Sequence, residues 1–85
     1  MKRMHRTKDE FFLLQLFEIA SLKGDPFQEV DVDAVGKAVG LGKRSIKNIV
    51  NTLAQTTFIK KGDEGMVYLT PHGLKLVHQL KEEGQ

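Results

Sequence analysis

Hydrophobic positions from Phe11 onward repeat with the spacing of a helix rather than a strand. Phe12, Leu16 and Ile19 form one stripe with Leu13, Phe17 and Ala20 beside it, so residues 8–23 read as a first helix with a broad apolar face. Thr7 and Glu10 have the spacing of a capping box at its start, and Gly24 supplies a stop. Phe11, Leu14 and Leu22 fall beside the stripe and are hard to bury in one small domain. Gly24-Asp25-Pro26 marks a turn, after which Phe27 is expected to pin the loop to the core. Residues Glu29 to Val32 alternate polar with apolar, which predicts a short strand.

The pattern then returns to helix. Asp31 is a suitable N-cap for a short segment over 32–39, with Val32, Val35 and Val39 inward and Gly40 as its end. Gly36 lies in its middle, where glycine costs about 1 kcal/mol of helix propensity relative to alanine. The expected return is a close approach by a neighbouring helix. After Leu41-Gly42, Ile46, Ile49, Val50 and Leu53 fall at i, i+3, i+4 and i+7, predicting a third helix over 43–55 with one apolar face. Two β-prone runs, 57–61 and 66–69, flank Gly62-Asp63-Glu64-Gly65 and predict a hairpin. Thr70 and Pro71 open a fourth helix, whose stripe is Leu74, Val77 and Leu80, while Leu76 points elsewhere.

Charge changes this picture from a scaffold to a surface. The net charge is only +2, but it is segregated along the chain. Residues 34–61 hold six basic residues and no acid, whereas residues 9–33 hold seven acids and one lysine. Such segregation makes a local field that the total conceals, and polyanions respond to local fields. The polar face of the third helix carries Arg44, Ser45, Lys47, Asn48, Asn51, Thr52 and Gln55, without a carboxylate. An ordinary solvated helix face would mix in glutamate for pairing. Residues 1–7 form a basic arm, expected to be flexible, ahead of a domain over 8–82.

Other chemistry is not supported. The chain has no cysteine, and His72 and His78 are six apart, off a common helix face, so no metal site is expected. Glu29, Asp31 and Asp33 lack calcium-loop spacing and suit helix capping instead, while His78 and Glu82 are spaced as a surface pair. No nucleophile–base pair or phosphate-cradling glycine loop is identifiable, so neither enzyme activity nor a cofactor is expected. The longest apolar run, Phe11 to Leu14, cannot span a membrane, and the expected location is the cytoplasm.

The run Val32-Asp33-Ala34-Val35-Gly36-Lys37-Ala38-Val39-Gly40-Leu41-Gly42-Lys43-Arg44-Ser45-Ile46 resembles the helix-turn-helix of bacterial regulators. Tyr68-Leu69-Thr70-Pro71-His72-Gly73 is similar to the leucine-threonine-x-x-glycine signature that opens the helix after the wing in MarR-like regulators. The resemblance covers about residues 7–82. It implies a mainly α fold with a small β-hairpin: a winged helix-turn-helix with a three-helix core, a two- or three-stranded wing and a C-terminal helix.

The same resemblance implies that helix 43–55 enters the major groove of double-stranded DNA. Arg44, Ser45, Lys47, Asn48, Asn51 and Thr52 are then the candidates for base contacts, with Arg44 suited to guanine and Asn48 or Asn51 to adenine. Lys37, Lys43, Lys60 and Lys61 are the candidates for phosphates. Phe11, Leu14, Leu22 and Leu76 are the candidate surface of a homodimer. No compartment for a small-molecule ligand is evident. Three departures from the pattern stand out. Thr57 replaces the glycine usual before the first wing strand, so that turn is expected to be built differently. Gly42 replaces the usual Ser or Thr cap, and the wing tip, Asp63-Glu64, is acidic. The expected function is a small transcription regulator, a repressor, that reads duplex DNA; the alternative is a winged helix serving as a protein-interaction module in a larger assembly.

Overall fold

The computed structural model describes residues 7–83; Lys2, Arg3, His5 and Arg6 of the basic arm lie outside the described residues. The first helix, α1, spans Lys8–Lys23, and its capping box is complete. The Thr7 hydroxyl accepts from the Glu10 N–H at 3.3 Å, and the Glu10 carboxylate accepts from the Thr7 N–H at 3.0 Å. Phe12, Leu13, Leu16 and Ala20 are buried in the core, with Phe17 and Ile19 packed against its edge. The alternating stretch forms a two-residue strand, β1 (Val30–Asp31), which leads without a break into α2 (Val32–Ala38). Asp31 therefore acts twice, pairing in the sheet through its backbone and capping α2 through its side chain, which accepts from the Asp33 N–H at 2.9 Å.

Helix α3 (Lys43–Gln55) buries Ile46, Ile49, Val50 and Leu53, the four positions set by its apolar spacing. Gly36 of α2 faces it directly. A methyl group there would overlap the tip of the Ile46 side chain, so the glycine lets the two helices of the motif close on each other. Strands β2 (Ile59–Lys61) and β3 (Met66–Leu69) form the hairpin, and β1 adds to its far side in an antiparallel sheet ordered β1-β3-β2. Val30 pairs with Val67, and Ile59 with Leu69, so one sheet face is apolar and closes the core. Helix α4 (Pro71–Glu83) returns across α1, contributing Val77 and Leu80. Lys81 fastens the two helices at the surface: its ammonium lies 3.1 Å from Glu18 and 4.8 Å above the Phe17 ring. His78 meets that same ring edge-on, at 6.3 Å between centroids.

Two local expectations are corrected. Phe27 does not pin its loop to the core; it is 41% exposed. The Asp25 carboxylate accepts from the Phe27 N–H at 2.7 Å, a tight Asx turn, and this turn leaves the ring beside Pro71, His72 and Leu74 of α4. Nor is the turn before β2 built differently. Thr57 adopts φ +63°, the left-handed conformation a glycine would take. The strain is borne because both sides hold it: its N–H donates to the Ala54 carbonyl at 3.1 Å, and its own carbonyl accepts from the Thr70 hydroxyl.

A left-handed backbone costs an L-residue about 1–2 kcal/mol, and a β-branched residue is an outlier there. Glycine would remove that cost while adding about 0.5–1 kcal/mol of chain entropy. Thr57→Gly is therefore expected to raise the midpoint of thermal unfolding by a few degrees. A melt followed by circular dichroism checks it; an unchanged or lower midpoint would show that Thr57 is not strained.

Candidate nucleic-acid interface

The exposed surface of α3 is where the basic segment of the chain is displayed. With Ile46, Ile49, Val50 and Leu53 turned inward, Arg44, Asn48, Asn51 and Gln55 fall at i, i+4, i+7 and i+11 along the centre of the outward face, and all are exposed. Lys43 and Lys47 flank that row toward the hairpin. Ser45 and Thr52 lie on the opposite flank, Ser45 half-buried and Thr52 exposed. Gly42 gives α3 no side-chain cap, so its first N–H groups meet solvent or a ligand at the end where the helix dipole is positive. Lys37, on α2, and Lys60, on β2, are both exposed.

Folding brings Lys61 to the outward face of α3 rather than leaving it at the hairpin base. Its ammonium donates to the Asn51 Oδ1 at 2.8 Å. Lys43, Lys47, Asn51 and Lys61 thereby line a groove of about 460 Å³ between α3 and the wing. Val32, Ile46, Val50 and Met66 form much of its floor. A shallower depression on the other side of Asn51 is lined by Gln55, Lys60 and Lys61.

Two features of this surface lie outside the sequence-based expectations. Gln55 belongs to the central row, and its place on the polar face of the helix was a sufficient signal. Asp33 lines the groove together with Lys43 and Lys47, and the Glu29 carboxylate lies against Gly62 at the start of the wing turn. No spacing in the sequence joins residues 29–33 to the wing; the β1–β3 pairing does so. That pairing gathers Glu29, Asp31 and Asp33 around the same end of the hairpin as Asp63 and Glu64, making the wing tip acidic from two directions. The tip itself is a tight turn closed by the Met66 N–H donating to the Asp63 carbonyl at 3.0 Å, so the wing is short.

The four residues expected on a dimer surface separate into two pairs. Leu22 is 88% and Phe11 47% exposed, at opposite ends of α1. Leu14 and Leu76 are half-buried and pack against the core of their own chain. Among the described residues there is no group of three or more His, Asp or Glu side chains able to hold a metal ion, and no helix long and apolar enough to cross a membrane.

No protein-family model matches the chain, and neither does any curated protein. Among solved structures, two of the PcaV transcriptional regulator from Streptomyces coelicolor, one in complex with its natural ligand, superpose with a TM-score of 0.65 over 98% of the chain. The fold is a winged helix. Identity to that regulator is 21%, and the chain spans 58–60% of its length. The element that supports the wing is the Leu69-Thr70-x-x-Gly73 segment. The Thr70 hydroxyl donates to the Thr57 carbonyl and accepts from the Gly73 N–H at 3.0 Å, while the Thr70 N–H donates to the Phe58 carbonyl at 3.2 Å. One threonine thus caps α4 and holds the chain leaving α3, fixing the start of the wing relative to α3.

Proposed function

We propose that the chain binds duplex DNA as a small transcription regulator, with α3 lying in the major groove. The observation that carries this reading is the outward face of α3: Arg44, Asn48, Asn51 and Gln55 in one row, flanked by Lys43, Lys47 and Lys61, with no carboxylate on the helix itself. A helix fits the ~12 Å major groove, and base edges there present distinguishable donor and acceptor patterns. In this reading Arg44 and Asn48 contact base edges, with Ser45 and Thr52 at the margin. Lys37, Lys43, Lys47 and Lys60 set position on phosphates. The acidic tip keeps the wing out of the phosphate field. Output by simple occupancy makes the protein a repressor acting in the cytoplasm. A homodimer, joined through the α1 surface around Phe11 and Leu22, would present two α3 helices to half-sites about 34 Å apart.

The test is fluorescence anisotropy of a labelled random-sequence duplex titrated with the protein at several salt concentrations. Binding at micromolar protein is expected, with log affinity falling against log salt at a slope of about −3 to −5, as four or five neutralised phosphates require. Sedimentation of the complex reports whether two copies are bound. Absence of binding at about 50 mM salt would reject the DNA reading, because the non-specific component is strongest there.

A further inference from the structure

The contact between Lys61 and Asn51 changes what Asn51 can read. Lysine carries three donors and no acceptor, so the amide atom facing it must be the carbonyl oxygen, as the 2.8 Å Nζ–Oδ1 distance has it. Asn51 is thereby oriented with Nδ2 outward, and among the described residues Nδ2 has no hydrogen-bond partner. Both side chains are exposed, at the centre of the row on α3 and at the rim of the groove beside it.

A free asparagine pairs with adenine by donating to N7 and accepting from the N6 amino group. Here an ammonium occupies one of the two lone pairs of Oδ1, and an amino group approaching the other would be brought against a positive charge. What the pair presents outward is chiefly donors: two N–H on Asn51 and those remaining on Lys61, with the second lone pair of Oδ1 lying beside the ammonium. In the major groove guanine offers two acceptors, O6 and N7, whereas adenine and cytosine each expose an amino donor. We infer that Lys61 and Asn51 act together as a donor-rich, positively charged reader that selects guanine, with Lys61 as the positioning residue for the Asn51 amide. This rests on the DNA-binding reading above, and it reverses the adenine preference that Asn51 would have alone. It also moves Lys61 from phosphate contact to base discrimination.

The test is selection from a duplex library with a randomised segment, sequenced after several rounds, for the wild type, Asn51→Ala and Lys61→Met. The wild type is expected to enrich a position at which guanine is favoured over adenine by about tenfold or more. Asn51→Ala should flatten that position alone. Lys61→Met, which frees Oδ1 while keeping the length of the side chain, should switch it from guanine to adenine. An adenine preference in the wild type at the Asn51-dependent position would overturn the proposal. So would a Lys61→Met profile that weakens all sequences equally, since that is the behaviour of a phosphate contact. If the wild type enriches nothing and binds no random duplex at low salt, the DNA reading itself has failed and the proposal falls with it. Thermal melts of both variants, expected to match the wild type because both sites are exposed, exclude misfolding as the cause.

Discussion

Gly73→Ala is expected to lower the thermal midpoint by about 10–20 °C. Gly73 is buried three residues after Thr70, and a Cβ there would overlap the Phe58 carbonyl oxygen and come within 2.9 Å of its carbon. The obstacle is backbone and cannot rotate away. It is also committed, since the same carbonyl accepts from the Thr70 N–H at 3.2 Å. Relief would require α4 to lift from the chain entering β2, loosening the Thr70 clamp. Overpacking of this kind costs about 1–3 kcal/mol and occasionally more, against a gain of up to about 1 kcal/mol in helix propensity. With backbone on both sides of the clash, a net loss of about 2–3 kcal/mol is expected, a large share of what a domain this size holds. Differential scanning calorimetry would decide it, and a midpoint within about 2 °C of the wild type would mean the α4–β2 contact is not close.

The second large effect concerns recognition. On a duplex selected by the wild type, Arg44→Ala combined with Asn48→Ala is expected to reduce affinity by about 100-fold or more, since each well-made base contact contributes about 1–3 kcal/mol of discrimination. Random duplex should lose far less, because only one positive charge is removed and the flanking lysines remain. Both residues are exposed, so stability should stay within about 0.5 kcal/mol. The informative quantity is the ratio of the two affinities at one salt concentration. An unchanged ratio would show that the α3 face does not read sequence, and the interaction-module alternative would then be favoured, with the Phe11 and Leu22 surface or the acidic wing tip as its working face.

Elements defined by neighbours along the chain are the ones that residue patterns reveal. The capping box of Thr7 and Glu10, the Asp31 cap, the apolar face of α3 and the Thr70-Pro71 start of α4 are all written within a few residues, and the fold has each of them. Long-range pairing is not legible in this way. Nothing near Lys61 says that its side chain will reach back ten positions to Asn51, because that depends on the angle between β2 and α3. Phe27 misleads because an aromatic after a turn has two outcomes, and the choice lies with the Asp25 side chain, which closes a turn on the Phe27 N–H. Thr57 misleads for a different reason. Its residue type argues against a left-handed turn, but the Thr57 N–H donating to the Ala54 carbonyl at the end of α3 and the Thr70 hydroxyl donating to the Thr57 carbonyl hold one. For the interface, residue types and the facing of α3 are readable, whereas Asp33 and Glu29 enter the picture only through a strand two residues long.

That strand has a kinetic consequence. Because β1 runs directly into α2 and is paired with β3, and because the Val32 N–H donates to the Gly65 carbonyl at 2.9 Å, the start of the helix-turn-helix is stitched to the wing. Lys61 adds a second stitch on the other side of the groove. Wing, α2 and α3 are thereby tied to one another, and under the DNA-binding reading no segment between them has to order itself when a target arrives. Encounter is then limited by diffusion and charge steering, which are the same for every sequence. If the chain reads DNA as proposed, discrimination between targets is expected in residence time: right and wrong sequences are met equally often, and the right one is held longer.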